Sequence, residues 1–380
     1  MADFPSILAR PGDEEPATPE TPAPAPTRRR KLLLVAGSLV VSLLVAEGTL
    51  RLTGIVGTGR GSPWFAGGNH PRFLFQPDAK AGYTLRPGFR GREIAPWREF
   101  DVEVRVDGRG LRDHAHVAPE RPRVLVLGDS MSFGEGVGAE DSWPAVLEHA
   151  LGVRVYDGGV PGYGSPQMRA RMATLLPALR PDLVLVALSP HWDQQRCAQP
   201  FVYKSGYIVA QGYADKLHLI DGNLYVADVR WPVVGPATAW AKRISHLARL
   251  ALPAARAGAA ALARLGRGGD RGDVAGDVSA SAATLVGLRG DAAVAGVPVF
   301  VVLLDSRGPQ YEADRDGLLA ALDRRNVPVV ALDRLLRDEN WAELRYARDG
   351  HWNAEGHREV GRALAPLVHA RLPMPSTTVE

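Results

Sequence analysis

Five short, nearly unbroken apolar runs constrain this chain more than any other feature. They lie at residues 124–127, 153–156, 183–188, 299–304 and 327–332. Such runs are too short for a core helix and lack the alternation of a strand with one wet face, so each reads as a strand buried on both sides. Helix-length stretches separate them. Strands alternating with helices predict an α/β fold, a three-layer α/β/α sandwich around a five-stranded parallel sheet.

The rest of the chain is arranged around that core. Residues 1–27 are rich in Pro, Ala, Thr and acids, a composition with too little apolar content to offset the entropy of ordering, and they are expected to be a disordered tail. Arg28, Arg29, Arg30 and Lys31 follow, then an uncharged run over 32–46 that ends at Glu47. Lys31 can snorkel and residues 48–50 can extend the far end, so 28–55 is expected to hold a transmembrane signal anchor inserted through residues 32–50. A cleaved signal peptide is the alternative, but Leu44 stands where a small residue should precede the cleavage site. The basic cluster before the span predicts a cytoplasmic N-terminus and an extracytoplasmic catalytic domain.

Residues 56–120 read as a β-rich preamble. Phe100-Asp101-Val102-Glu103-Val104-Arg105-Val106 alternates as a strand should and stops at Asp107-Gly108. The main domain is placed at 121–372, with an insertion at 195–280 that carries a hairpin around Asp221-Gly222-Asn223, an Ala/Arg helix and a loop at 266–276. A short tail, 373–380, closes the chain.

Composition excludes several classes of function. The one cysteine, Cys197, rules out an intramolecular disulfide and any site built from several thiolates. A net charge of +3, with no basic run interleaved by aromatics, predicts no nucleic-acid partner. No cofactor and no metal ion are expected. His351 and His357 are six apart, which is not a usual ligand spacing, and His357 reads as a helix-surface residue. Gly134, Gly136 and Gly138 lack the Lys-Ser/Thr of a phosphate loop and read as turn glycines. His191, beyond the third strand, is a further candidate for the site.

In a parallel sheet, groups that act on a ligand gather beyond the carboxyl ends of the strands. Gly128-Asp129-Ser130 stands at such an end, and Asp349-Gly350-His351 follows the fifth strand just before the last helix. A serine hydroxyl needs an adjacent base, and the base needs a third group to hold it. With Gly350 between them, Asp349 can bend onto Nδ1 of His351 and leave Nε2 for Ser130. Asn353 suits the N-cap of the helix that follows.

These segments resemble the SGNH/GDSL hydrolase superfamily over about residues 121–372. Val-Leu-Val-Leu-Gly-Asp-Ser-Met-Ser-Phe-Gly-Glu-Gly-Val is similar to its first block, Asp157-Gly158-Gly159-Val160-Pro161-Gly162 to its second, and Asp349-Gly350-His351 to its last. The resemblance implies a flavodoxin-like fold, Ser130 as nucleophile, His351 as base, Asp349 as its orienting acid, and the amides of Ser130 and Gly162 as oxyanion donors. The basic-flanked span followed by Glu47-Gly48-Thr49-Leu50-Arg51 is similar to membrane-anchored bacterial members. One departure stands out: Ser189-Pro190-His191-Trp192-Asp193 puts Trp192 where the third block has Asn, a third oxyanion donor. The Trp192 indole or the Gln194 amide is expected to stand in for it, since loss of one such donor costs ~10²–10³-fold in rate.

The function expected is that of a serine-dependent esterase acting on an O-acyl ester of a small molecule or glycan. Two alternatives remain: an O-acetyltransferase acting on a cell-envelope polysaccharide, with the insertion shaping an acceptor groove, and a non-catalytic carbohydrate-binding module. Oligomeric state has no sequence signature.

Overall fold

The computed structural model describes residues 27–53, 74–95, 98–116, 122–198, 278–304, 309–336 and 341–373, with shorter stretches at 61–62, 70–71, 201–204, 207–210, 215–220, 223–228, 245–248 and 251. Residues 1–26 of the expected N-terminal tail, most of the Ala/Arg stretch, the 266–276 loop and nearly all of the C-terminal tail lie outside the described residues.

Helix α1 (Arg28–Thr53) contains the whole uncharged run, and its Leu and Val side chains are exposed. It is long and apolar enough to cross a membrane. Three small antiparallel pairs follow: β1 (Gly61–Ser62) with β2 (His70–Pro71), β3 (Phe75–Asp78) with β4 (Gly82–Leu85), and β5 (Arg90–Ile94) with β6 (Asp101–Arg105). The last of these ends where the sequence predicts. The Asp107 carboxylate accepts the amides of Arg109 and Leu111 at 2.8 and 2.9 Å, an Asx turn that competes with further strand pairing.

The five apolar runs form β7 (Arg123–Gly128), β8 (Arg154–Asp157), β9 (Leu183–Leu188), β14 (Val299–Leu303) and β15 (Val329–Ala331). All pair parallel, in the order β15-β14-β9-β7-β8. Counted along the five, that is the flavodoxin-like order, and its reversal between β7 and β9 opens a crevice at the carboxyl ends of those strands. Between β9 and β14 lie two antiparallel pairs, β10 (Phe201–Lys204) with β11 (Tyr207–Ala210) and β12 (Asp215–Ile220) with β13 (Asn223–Asp228). Ile220 opposite Asn223 is the hairpin that Asp221-Gly222-Asn223 predicts.

Alternate residues of each central strand feed opposite layers. Leu125, Leu127, Val184, Val186, Val301 and Leu303 pack with α4 (Ser165–Leu179), α6 (Val278–Val294) and α7 (Pro309–Asp323). Val124, Val126, Leu183, Leu185, Phe300 and Val302 pack with α3 (Trp143–Leu151) and α8 (Ala354–His369). The sandwich is therefore three-layered, as expected. Side chains of β3, β4 and β6, among them Phe75, Tyr83 and Val104, join the first of these cores.

Helix α8 begins as read from the sequence, with Asn353 Oδ1 accepting the Gly356 amide at 3.0 Å. His357 corrects the surface expectation. It is 1% exposed, its Nδ1 accepts the Trp143 amide at 3.2 Å, and its ring stands edge-on to Trp352. A polar residue one turn into an amphipathic helix was placed outside by its type, whereas the N-terminus of α3 supplied a partner for it inside.

Candidate active site

The turns after β7 and β8 lie beyond the carboxyl ends of those strands, beside the helix that follows β9. Gly128 ends β7 where a side chain would collide with Ser132 Oγ and the Ala187 carbonyl, so only glycine lets the chain turn there. Asp129 caps the four-residue helix α2 (Ser130–Phe133), its carboxylate accepting the Met131 amide at 3.0 Å. Burial raises the Asp129 carboxyl above its ordinary range, against the pull of Arg196 and that amide. Ser130 is left as the first residue of α2, half-buried at the lip of the cleft.

The partner turn arrives from the far end of the chain. Gly350 takes φ +88°, and its amide reaches the Tyr346 carbonyl at 3.1 Å. Glu99 accepts the amides of Arg348 and Asp349, each at 3.0 Å, and the Tyr346 hydroxyl donates to the Gly136 carbonyl at 2.9 Å. These contacts fix the loop against the turn after α2. The result is a continuous relay: His351 Nε2 lies 2.8 Å from Ser130 Oγ, and His351 Nδ1 lies 2.5 Å from Asp349 Oδ1.

A second carboxylate, which sequence reasoning passed over, completes the electrostatics. Glu135 sits between Gly134 and Gly136, 2% exposed, with Oε2 3.5 Å from His351 Nε2. Behind it the fully buried Glu93 accepts the Gly136 amide at 3.0 Å. Burial alone would lower the His351 pKa. Attraction to Glu135, the hydrogen bond and charge of Asp349, and the field of Glu93 together overcome it and raise the imidazole to about 9. The only sequence signal for Glu135 was an acid wedged between two turn glycines five residues after Ser130.

The expected oxyanion donors fare differently. Gly162 lies in a buried turn after β8 with φ +83°, at the same sheet edge as Ser130. The residues after β9 are helical, α5 (Pro190–Ala198), started by Pro190. That helix turns Gln194 away: its side chain is buried and its Nε2 donates to the Asp314 carbonyl at 2.9 Å, so the amide is committed to α7 and does not serve as the stand-in donor. Trp192 is 45% exposed and lines the cleft. His191 lines it too, held by Asp314 at 2.6 Å and packed edge-on against Trp192 and Tyr311. Arg196 and Arg345 complete a wall that is both aromatic and cationic. Asp193, beside Trp192, faces inward and accepts from Ser165 and Ser281, tying α5 to α4 and α6.

No protein-family model matches the chain. A stretch of 71 residues, 17% of this chain, is 42% identical to part of an arylesterase from Vibrio mimicus. The matched stretch spans 36% of that relative, about a third of its length. Among solved structures the chain is similar to a lipase/acylhydrolase from Enterococcus faecalis, at 12% identity and TM-score 0.38 over 67% of this chain and 98% of that one. It is also similar to a catalytic mutant of an acetylxylan esterase from Geobacillus stearothermophilus, at 14% and 0.38 over 69% and 100%. A GDSL-like lipase from Bacteroides thetaiotaomicron stands at 13% and 0.35 over 68% and 92%. Likeness this loose leaves the chemistry to this chain's own side chains.

Proposed function

We propose that the protein is an ester hydrolase of the SGNH/GDSL type in which Ser130, His351 and Asp349 act as nucleophile, base and orienting acid. The observation that carries this reading is the unbroken relay from Ser130 Oγ through His351 to Asp349. In the reaction, the Ser130 hydroxyl proton passes to Nε2 as Oγ adds to the ester carbonyl, and the imidazolium returns it to the departing alcohol. Water repeats the sequence on the acyl-serine and releases the acid. The amides of Ser130 and Gly162 are the proposed oxyanion donors. The stretch of identity with an arylesterase supports the same reaction class.

The relay speaks against a purely carbohydrate-binding module, which has no use for a serine, a histidine and a carboxylate in series. An acyltransferase is the second reading. Trp192 and Tyr311 offer flat apolar faces of the kind that stack on sugar rings, and a sugar hydroxyl could replace water in the second step. The α1 helix supports a single-pass anchor, and the basic residues before it support a cytoplasmic N-terminus with the catalytic domain outside.

Ser130→Ala tests the nucleophile. It is expected to abolish both turnover of a short aryl ester and labelling by a fluorophosphonate probe. Turnover or labelling equal to that of the parent protein would refute it. Supplying an acetyl donor with glycan acceptors, and measuring whether acetate appears free or on sugar, separates hydrolase from transferase.

A further inference from the structure

A second histidine–carboxylate cluster lies apart from the cleft, where the segment before β7 runs beside β8. Arg112 bridges antiparallel to Asp157, its amide donating to the Asp157 carbonyl at 3.0 Å. Two and four residues further on, His114 and His116 both turn to Glu148 of α3. His114 Nε2 is 3.4 Å and His116 Nδ1 2.8 Å from the same oxygen, Glu148 Oε2. The Val155 amide donates to that oxygen at 2.9 Å and fixes the carboxylate. Glu148 is fully buried and His114 is 3% exposed, while the His116 side chain retains 26% of its exposure. One candidate ligand atom from each residue falls within 4.8 Å of the other two.

We infer that His114, His116 and Glu148 form a binding site for a divalent transition-metal ion, Zn²⁺ being the best match. Two imidazole nitrogens and one carboxylate oxygen are a donor set that zinc takes readily, with a fourth position left for water on the open side of His116. Bonds of about 2.0–2.1 Å in a tetrahedron put ligand atoms roughly 3.3 Å apart. His114 and Glu148 already stand at that spacing. His116, the one ligand with room to move, needs to back away by a few tenths of an ångström.

The site lies away from Ser130. Val155 pairs with Val124 at the start of β7, whereas Ser130 follows the end of that strand. Metal at this point clips the segment carrying Arg112 to the corner between α3 and β8. Arg112 in turn stacks on Phe133 of α2 and donates to the Val137 carbonyl at 2.8 Å. The ligand pair is legible in the sequence as His114-Ala115-His116, which reaches one face of an extended segment by its spacing of two, but Glu148 is visible only in the fold.

The test uses the full chain in detergent, stripped with a chelator and titrated with Zn²⁺ against a chromophoric competitor. One equivalent with sub-micromolar affinity is expected. His116→Ala, at a partly exposed position, is expected to weaken that equivalent at least tenfold, and His351→Ala is expected to leave it intact. X-ray absorption of the zinc-loaded parent protein reads the ligands without any variant and should show two imidazoles. Absence of a tight equivalent, its retention in His116→Ala, its loss in His351→Ala, or fewer than two imidazoles on the metal would each overturn the assignment.

Discussion

The two histidine–carboxylate clusters use the same residue types in opposite proportions. Beyond the end of β7 one imidazole, His351, faces two carboxylates, Asp349 on Nδ1 and Glu135 beside Nε2. Along β8 two imidazoles, His114 and His116, face one carboxylate, Glu148. Surplus negative charge around a single ring retains a proton, which is why His351 is raised to about 9 despite its burial. Along β8 the surplus is of ring nitrogens, the donor set of the proposed metal site.

The comparison breaks most visibly at the relay. His351→Ala is expected to lower kcat for an aryl ester by roughly 10⁴–10⁶-fold, because base and nucleophile act as a unit. Asp349→Asn keeps the shape but disrupts the charge and the tautomer that Nδ1 requires. It is expected to cost about 10⁴-fold with little change in KM, read from initial rates over a substrate series. A loss below tenfold in either variant would place the base elsewhere.

Glu135→Gln sharpens the comparison, since it removes one of the two charges facing His351 while leaving the other. With the parent protein, kcat/KM is expected to rise with pH toward about 9 as the imidazolium loses its proton. Glu135 favours the protonated ring, so its neutralisation should move that rising limb toward acid by about one pH unit or more and increase the rate near pH 7. At alkaline pH the variant should be slower than the parent protein, because the imidazolium formed in the transition state loses a stabilising charge. An unmoved limb would show that Glu135 does not reach His351.

The parallel sheet was legible because burial on both faces leaves a local mark, an unbroken apolar run, and all five runs became its strands. Ser130, His351 and Asp349 were legible because sharp turns at strand ends need glycine beside them, as Gly128 and Gly350 supply. Residues whose roles depend on what packs against them were not. Glu135, Glu93 and Glu99 are ordinary acids in the sequence, and they reach the His351 loop only through the turn after α2 and the β5–β6 hairpin. Gln194 was misplaced because a helix, not a loop, follows β9, and a rotation about that helix axis carried its amide to α7.

His357 offers the mildest test, as a ring with no carboxylate against it among the described residues. Burial, with repulsion from His351 and Arg112, lowers it to about 3, so it stays neutral in the folded state while the unfolded chain protonates near 6.5. Stability is then intact above pH 6.5 from this group and falls as pH drops toward 3, the unfolded state binding the extra proton. His351, raised to about 9, has the opposite sign: its contribution is complete below pH 6.5 and fades as pH rises through 9. The two rings, six residues apart, thus bound a stability maximum from both sides. His357→Leu is expected to cost about 1–3 kcal/mol at pH 7, because the Trp143 amide loses its acceptor, and to flatten the acid limb. The alkaline limb should be unaffected. Denaturant midpoints measured across pH 4–10 read both limbs, and an acid limb as steep in the variant as in the parent protein would assign acid sensitivity to other groups.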